Sequence, residues 1–300
     1  MPKLFPLFRP GAKEDEAYTL TLGDRAENER GMEIIGKCAS AGLSVQKLHD
    51  IDEGLNQSVS KSPPRSRIID LGQLLPGVNT PPAAVLISTV NTAMNKDDSS
   101  DLIYKELRRM PKDSTIAKEG MLQQKHARHN NTIADYSQLP DILNGKGTVC
   151  DFADYEHTGR LRDAIIQLTG ASSLVGEVNH YFAPRQCGIR YHGDEERVIV
   201  VGARFGYGAN GFPLRFQWYR YGQPVGREGI LELQEGDLYM MSQEAVGTLT
   251  FAKPREYTLR HAAGHDSYLE KNDSHMNKKR KAEESPVMLH PSVGALFPCE

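Results

Sequence analysis

The spacing of apolar residues changes once along this chain, at Gly170, and that change limits the fold more than any other feature. Before it, Leu161, Ala164, Ile165 and Leu168 follow the i, i+3, i+4, i+7 pattern of a helix face. Asp154 or Thr158 can open that helix, and Gly170 stops it. After it the period is two. Short runs at 174–178, 198–201, 214–221, 230–233, 238–241 and 256–260 read as strands, parted by Gly, Pro and Asp turns. Upstream, 83–88 reads as a buried strand, and 102–110 as a helix capped by Ser99 or Ser100 and stopped by Pro111. Helices followed by closely spaced strands predict an α+β chain that ends in a β-sandwich or barrel.

Three stretches follow from composition. Residues 1–67 are charged and glycine-bearing, with a short apolar stretch at 18–22, a helix-like set of apolar positions between 31 and 55, and a linker-like run at 56–66. They are expected to be poorly ordered, with regular structure starting near Ile68. Residues 68–264 form the folded domain, densest from 147 to 264, and 265–300 read as a disordered polar tail. With 36 Lys and Arg against 39 Asp and Glu, the chain is not a globally basic nucleic-acid coat. No apolar run approaches the roughly 20 residues of a bilayer span. The start is too short and proline-broken for a signal peptide. Cys38, Cys150, Cys187 and Cys299 form no CxxC pair and read as reduced thiols of an intracellular protein.

Among ten histidines, His192-Gly193-Asp194 is the arrangement that carries chemistry. A His and an Asp two apart on an extended segment point the same way, so an imidazole nitrogen and a carboxylate oxygen reach one ion. A second imidazole from a distant strand would complete a 2-His-1-carboxylate set with open positions, which suits Fe(II). Alone, the tripeptide is equally a solvated turn, helped by Glu195-Glu196-Arg197.

Its surroundings are more telling. Asn179-His180-Tyr181 lies upstream, Gly236-Asp237-Leu238-Tyr239-Met240-Met241-Ser242 downstream, and Tyr257-Thr258-Leu259-Arg260-His261 closes the series. In this order the segments resemble the AlkB-like branch of the 2-oxoglutarate- and Fe(II)-dependent dioxygenases, over about 83–264 and chiefly 178–264. The resemblance implies a double-stranded β-helix, or jelly roll, with an N-terminal helical and mixed region packed on it. It implies Fe(II), 2-oxoglutarate and O₂, with His192, Asp194 and His261 as iron ligands and Asn179, Tyr181 and Arg260 on 2-oxoglutarate. Arg204 and Lys271 compete with Arg260, which as a strand neighbour of His261 faces the other side unless a bulge intervenes. A second register makes 255–260 the final strand and moves the distal ligand to 248–251, where there is no histidine.

The implied reaction hydroxylates a substrate C–H bond, and on an N-methylated base it releases formaldehyde. An alkylated nucleic acid is the implied partner; a protein or small-molecule substrate, and a catalytically silent binding module, are the alternatives. In 214–221, Leu214, Phe216 and Trp218 are expected in the core, whereas Arg215, Gln217, Tyr219 and Tyr221 offer a substrate rim. Lys125, His126, Arg128 and His129 offer a basic edge. Lys278-Lys279-Arg280-Lys281 resembles a nuclear-import signal, which in a eukaryotic host would place the chain in the nucleus.

Overall fold

A computed structural model describes residues 16–57, 65–97, 99–248, 256–272 and 286–289. The chain opens with β1 (Ala17–Gly23), β2 (Arg25–Glu27), β3 (Ile34–Gly36) and α1 (Val45–Gln57). Next come β4 (Arg67–Asp70), β5 (Ala84–Thr89), α2 (Val90–Met94) and α3 (Ser99–Arg109). The middle holds β6 (Thr115–Lys118), β7 (Met121–Gln124), β8 (His129–Ala134), β9 (Val149–Asp151) and α4 (Glu156–Thr169). Strands then dominate: β10 (Val175–Tyr181), β11 (Gly188–His192), β12 (Val200–Phe205), β13 (Leu214–Arg220), β14 (Gln223–Leu231) and β15 (Asp237–Met241). The last elements are α5 (Gln243–Val246), β16 (Tyr257–Gly264), α6 (Asp266–Asn272) and β17 (Val287–Met288).

Two sheets organise the molecule. One has eight strands in the order β4-β5-β15-β12-β1-β10-β8-β9; the other has five, β11-β16-β13-β14-β17. Alternation along the central strands explains the layering. Leu20, Leu22, Val178, Val201, Ala203, Phe205, Leu238 and Met240 face the helices, packing with Leu48 and Ile51 of α1, Ile103 and Leu107 of α3, and Leu161 and Ile165 of α4. The opposite face presents Val85, Ile87, Val200, Tyr239 and Met241 to Leu214, Phe216, Trp218, Leu231 and Leu259 of the five-stranded sheet. Helices, large sheet and small sheet thus form three layers with two apolar seams. Trp218 sits in the second seam and donates its indole N–H to the Leu71 carbonyl at 2.9 Å. Burying each such large side chain contributes about 1.5–3 kcal/mol.

The α+β composition agrees with the expectation, and Gly170 ends α4 in the left-handed conformation (φ +75°), donating to the Ile166 carbonyl. Residues 1–67 need correction. Within them β1 occupies the middle of the large sheet, hydrogen-bonded to β10 and β12, because Tyr18, Leu20 and Leu22 alternate with Ala17, Thr19 and Thr21. The helix expected between 31 and 55 is confined to α1. The proposed tail begins instead with α6, and β17 pairs in parallel with β14; Lys278 to Lys281 lie outside the described residues. Among the described residues no helix is long and apolar enough to cross a membrane. Cys150 and Cys187 are buried free thiols and Cys38 an exposed one.

Candidate metal centre

His192 and His261 are direct cross-strand partners where β11 meets β16, with a break in register just before His192. Their rings lie 4.4 Å apart, centroid to centroid. Asp194 follows on the turn after β11. Its Oδ1 is 3.3 Å from His192 Nε2 and 3.4 Å from His261 Nε2. One donor atom from each of the three lies within 4.8 Å of the others. At bond lengths of about 2.1 Å, neighbouring corners of an octahedron are about 3 Å apart, so this donor set fits one hard-to-borderline divalent ion.

The surroundings fix the three groups. His192 Nδ1 meets the Arg190 carbonyl at 2.7 Å, and His261 Nδ1 meets the Ala245 carbonyl at 3.3 Å. Each ring therefore donates through Nδ1 and turns its Nε2 lone pair inward, the tautomer a metal needs. The Asp194 backbone N–H donates to the Val246 carbonyl at 3.1 Å. Short helix α5 thus orients two of the three ligands. Gly193 permits this approach, since a Cβ there would lie 2.5 Å from the Gly247 carbonyl oxygen.

Asp194 Oδ2 is held by Arg197 Nε at 3.0 Å, which leaves Oδ1 for an ion. Arg197 also binds Glu177 through Nη2 at 2.7 Å and contacts Glu196. Burial alone would raise the Asp194 pKa, but the Arg197 guanidinium and the two imidazoles hold it well below the usual carboxylate range. Burial also opposes a charged His192, yet Asp194 beside it raises its pKa; burial and the neighbouring His192 lower that of His261. His192 remains the accessible member, with 37% of its side chain exposed.

The other expected residues divide. Asn179 and Tyr181 lie on the inward face of β10, both buried. Asn179 accepts from Arg128 Nε at 2.6 Å and donates to Glu177 at 3.0 Å. Arg260 is a correction. Strand alternation turns it away from His261, and its guanidinium lies 4.3 Å from the Tyr219 ring on the outer face of the small sheet. That face also holds Arg215, tied to Glu228 at 3.0 Å and to Asp266 at 2.5 Å, so the expected substrate rim lies behind the sheet that carries His261. The basic edge dissolves too. Lys125 is buried against Asn28, Asn130 and Glu29, and Arg128 turns inward.

Arg204, one of the alternatives to Arg260 in the sequence, does face the interior. It points inward from β12, is 0% exposed, and among the described residues none of Nε, Nη1 and Nη2 has a hydrogen-bond partner. Phe212 covers it at 4.7 Å, and Tyr181, Tyr239 and Asp237 are its nearest electrostatic neighbours. Tyr239 is buried on the same inward face, and Arg204 and Asp194 are both among its electrostatic neighbours. Its ring passes over Gly202, where a Cβ would come within 2.1 Å of Cζ. Sequence reasoning placed Arg128 on a basic edge, Arg197 in a solvated turn and Tyr239 within a strand, and assigned none of them to this centre. Arg197 stands only three residues past Asp194, and that spacing was the available signal.

No family model matches the chain. An uncharacterized protein of Acanthamoeba polyphaga mimivirus is 34% identical to it over 255 residues, spanning 85% of this chain and 98% of the viral one. The chain belongs to that viral protein's family. The shared stretch runs nearly the full length of the mimivirus relative.

Proposed function

We propose that this protein is an Fe(II)- and 2-oxoglutarate-dependent dioxygenase built on a double-stranded β-helix, formed by the inward faces of the two sheets. One observation carries the reading: His192, Asp194 and His261 turn one donor atom each toward a common point, and every other hydrogen-bonding atom of the three is engaged elsewhere or at the protein surface. Arg204 supports it from the same interior, as a buried cation suited to a carboxylate.

In this reading His192, Asp194 and His261 hold the iron. The bound metal supplies oxygen activation, by which 2-oxoglutarate and O₂ yield succinate and CO₂ while a substrate C–H becomes C–OH. Arg197 keeps Asp194 to one coordinating oxygen. Arg204 binds the carboxylate of 2-oxoglutarate remote from the metal, with Tyr181 and Tyr239 beside it; Asn179, fixed by Arg128 and Glu177, borders the same space. The seam on both sides is apolar, which keeps water from these charges and strengthens them.

The test is anaerobic addition of Fe(II) and 2-oxoglutarate to the full chain. A visible charge-transfer band is expected, absent in His192→Ala, followed by succinate release when O₂ is admitted. A chain that binds no Fe(II) and gives no band is instead a silent binding module.

A further inference from the structure

Beside the metal centre lies an open cavity of about 450 Å³, within the size range of ligand sites. Met32, Ile116, Ala117, Ile142 and Leu143 line it, together with Arg30. Arg30 links it to the centre, since its guanidinium bonds Glu195, the residue after Asp194, at 2.9 Å. Leu143 is 56% exposed, and Leu122, the cross-strand partner of Ala117, is 54% exposed and continues the same apolar wall. Apolar surface open to water beside a reactive centre marks a place for a partner. The charge around it says which kind. Glu27 accepts from the Gly31 N–H at 2.6 Å, the Glu33 N–H donates to the Gly145 carbonyl at 2.9 Å, and Glu195 holds Arg30, so three acidic residues border the lining. Burial first, and then the nearby Glu196 and Glu177, raise the pKa of Glu27, a sign of crowded negative charge. Lys118 and Lys146 are offset by Glu119, next to one in sequence, and by Asp141, bridged to the other. Among the described residues no aromatic ring lines the cavity, so a nucleobase finds nothing to stack on and its phosphates meet carboxylates.

We infer that the substrate of this centre is a polypeptide segment, rather than an alkylated nucleic acid, in which a large aliphatic side chain seats in the cavity and neighbouring lysines or arginines face Glu27, Glu33 and Glu195. The inference rests on the oxygenase reading and names a substrate class for it. Such a substrate must reach both the accessible side of His192 and the cavity beyond Arg30. An extended backbone does so at about 3.3–3.6 Å per residue, carrying apolar and charged groups on alternate sides. The aliphatic group supplies affinity by leaving water, and the cationic groups supply orientation and a faster encounter.

Fluorescence anisotropy with the full chain, loaded with Fe(II) and 2-oxoglutarate without oxygen, tests this on three labelled probes. The first is a pool of short peptides made of Lys, Arg, Leu, Ile and Ser; the second replaces Lys and Arg by Glu and Asp; the third is a single-stranded DNA of mixed sequence and similar length. The cationic pool is expected to bind about tenfold tighter than either of the others. Leu143→Asp and Glu33→Lys should each weaken it about tenfold. Both side chains reach the surface, so the fold and the charge-transfer band of the loaded chain stay as in the wild type. When O₂ is admitted, the cationic pool should speed succinate release. Equal binding of the two peptide pools, tighter binding of the DNA, unchanged affinity in both variants, or a bound peptide that leaves succinate release unaltered overturns the substrate assignment, and a normal band then keeps the oxygenase reading intact. A wild-type chain that gives no band fails the oxygenase reading, and the inference falls with it.

Discussion

Arg197 and Arg204 stand seven residues apart, one at the entrance of β12 and one near its end, and both are almost wholly buried. Arg197 has Asp194, Glu177 and Glu196 around it, and only Nη1 is left without a partner. Arg204 has none at all among the described residues. The same chemical group thus serves two purposes. A paired guanidinium fixes an internal carboxylate in place, whereas an unpaired one, on the function proposed above, answers an anion from outside. Burial alone distinguishes nothing here; the partner count does.

Opposite responses to the same substitution are expected. Arg197→Met strips the buried carboxylates of Asp194 and Glu177 of the cation nearest to both and should lower stability by about 3–5 kcal/mol in urea unfolding. A cost near zero would show that those carboxylates are solvated and that Arg197 is no anchor. The metal end comes next: His192→Ala should weaken Fe(II) binding more than about 100-fold by equilibrium dialysis, and intact affinity would remove the triad from the comparison. Arg204→Met should have the reverse sign to Arg197→Met, gaining about 1–3 kcal/mol because it deletes an unsatisfied buried cation. That gain should come with loss of 2-oxoglutarate binding, and a destabilised Arg204→Met would mean that the fold itself pairs this group.

The smallest effect concerns pH. Metal binding requires neutral imidazoles. His192 is raised by Asp194, so on acidification it protonates at higher pH than an ordinary histidine and metal affinity falls there first. His261 is lowered and is already neutral over that range. Near neutrality, about one proton or less should therefore leave per ion bound, measured by calorimetry in buffers of differing ionisation heat. Release of two protons would contradict the different environments of the two rings. Arg204 retains its charge throughout, so 2-oxoglutarate binding to the metal-loaded chain should change little across the same interval.

The sequence made the helix-to-strand switch legible because Gly170 and the apolar spacing of α4 are local signals. His192 and Asp194 were legible for the same reason, two residues apart on one extended segment. His261 was reachable only through the order of motifs, and its cross-strand partnership with His192 depends on register that spacing cannot specify. Arg260 was a wrong choice on alternation alone, since strand neighbours face opposite sides. β1 was hidden by its charged flanks, and its partners begin at residue 175 and at residue 200, far beyond any window of local pattern. Arg204 was one of three basic candidates in the sequence, and only its surroundings of Phe212, Tyr181 and Tyr239 set it apart.

The central berth of β1 also has a consequence for how the chain is made. Its first strand leaves the ribosome with neither neighbour yet synthesised, and about 180 further residues must follow before β12 can close the pair. Strand pairings of such long range are slow to form. During synthesis, then, the opening segment waits as an unpaired edge, and a chaperone that shields Tyr18, Leu20 and Leu22 in that interval would raise the yield of folded protein.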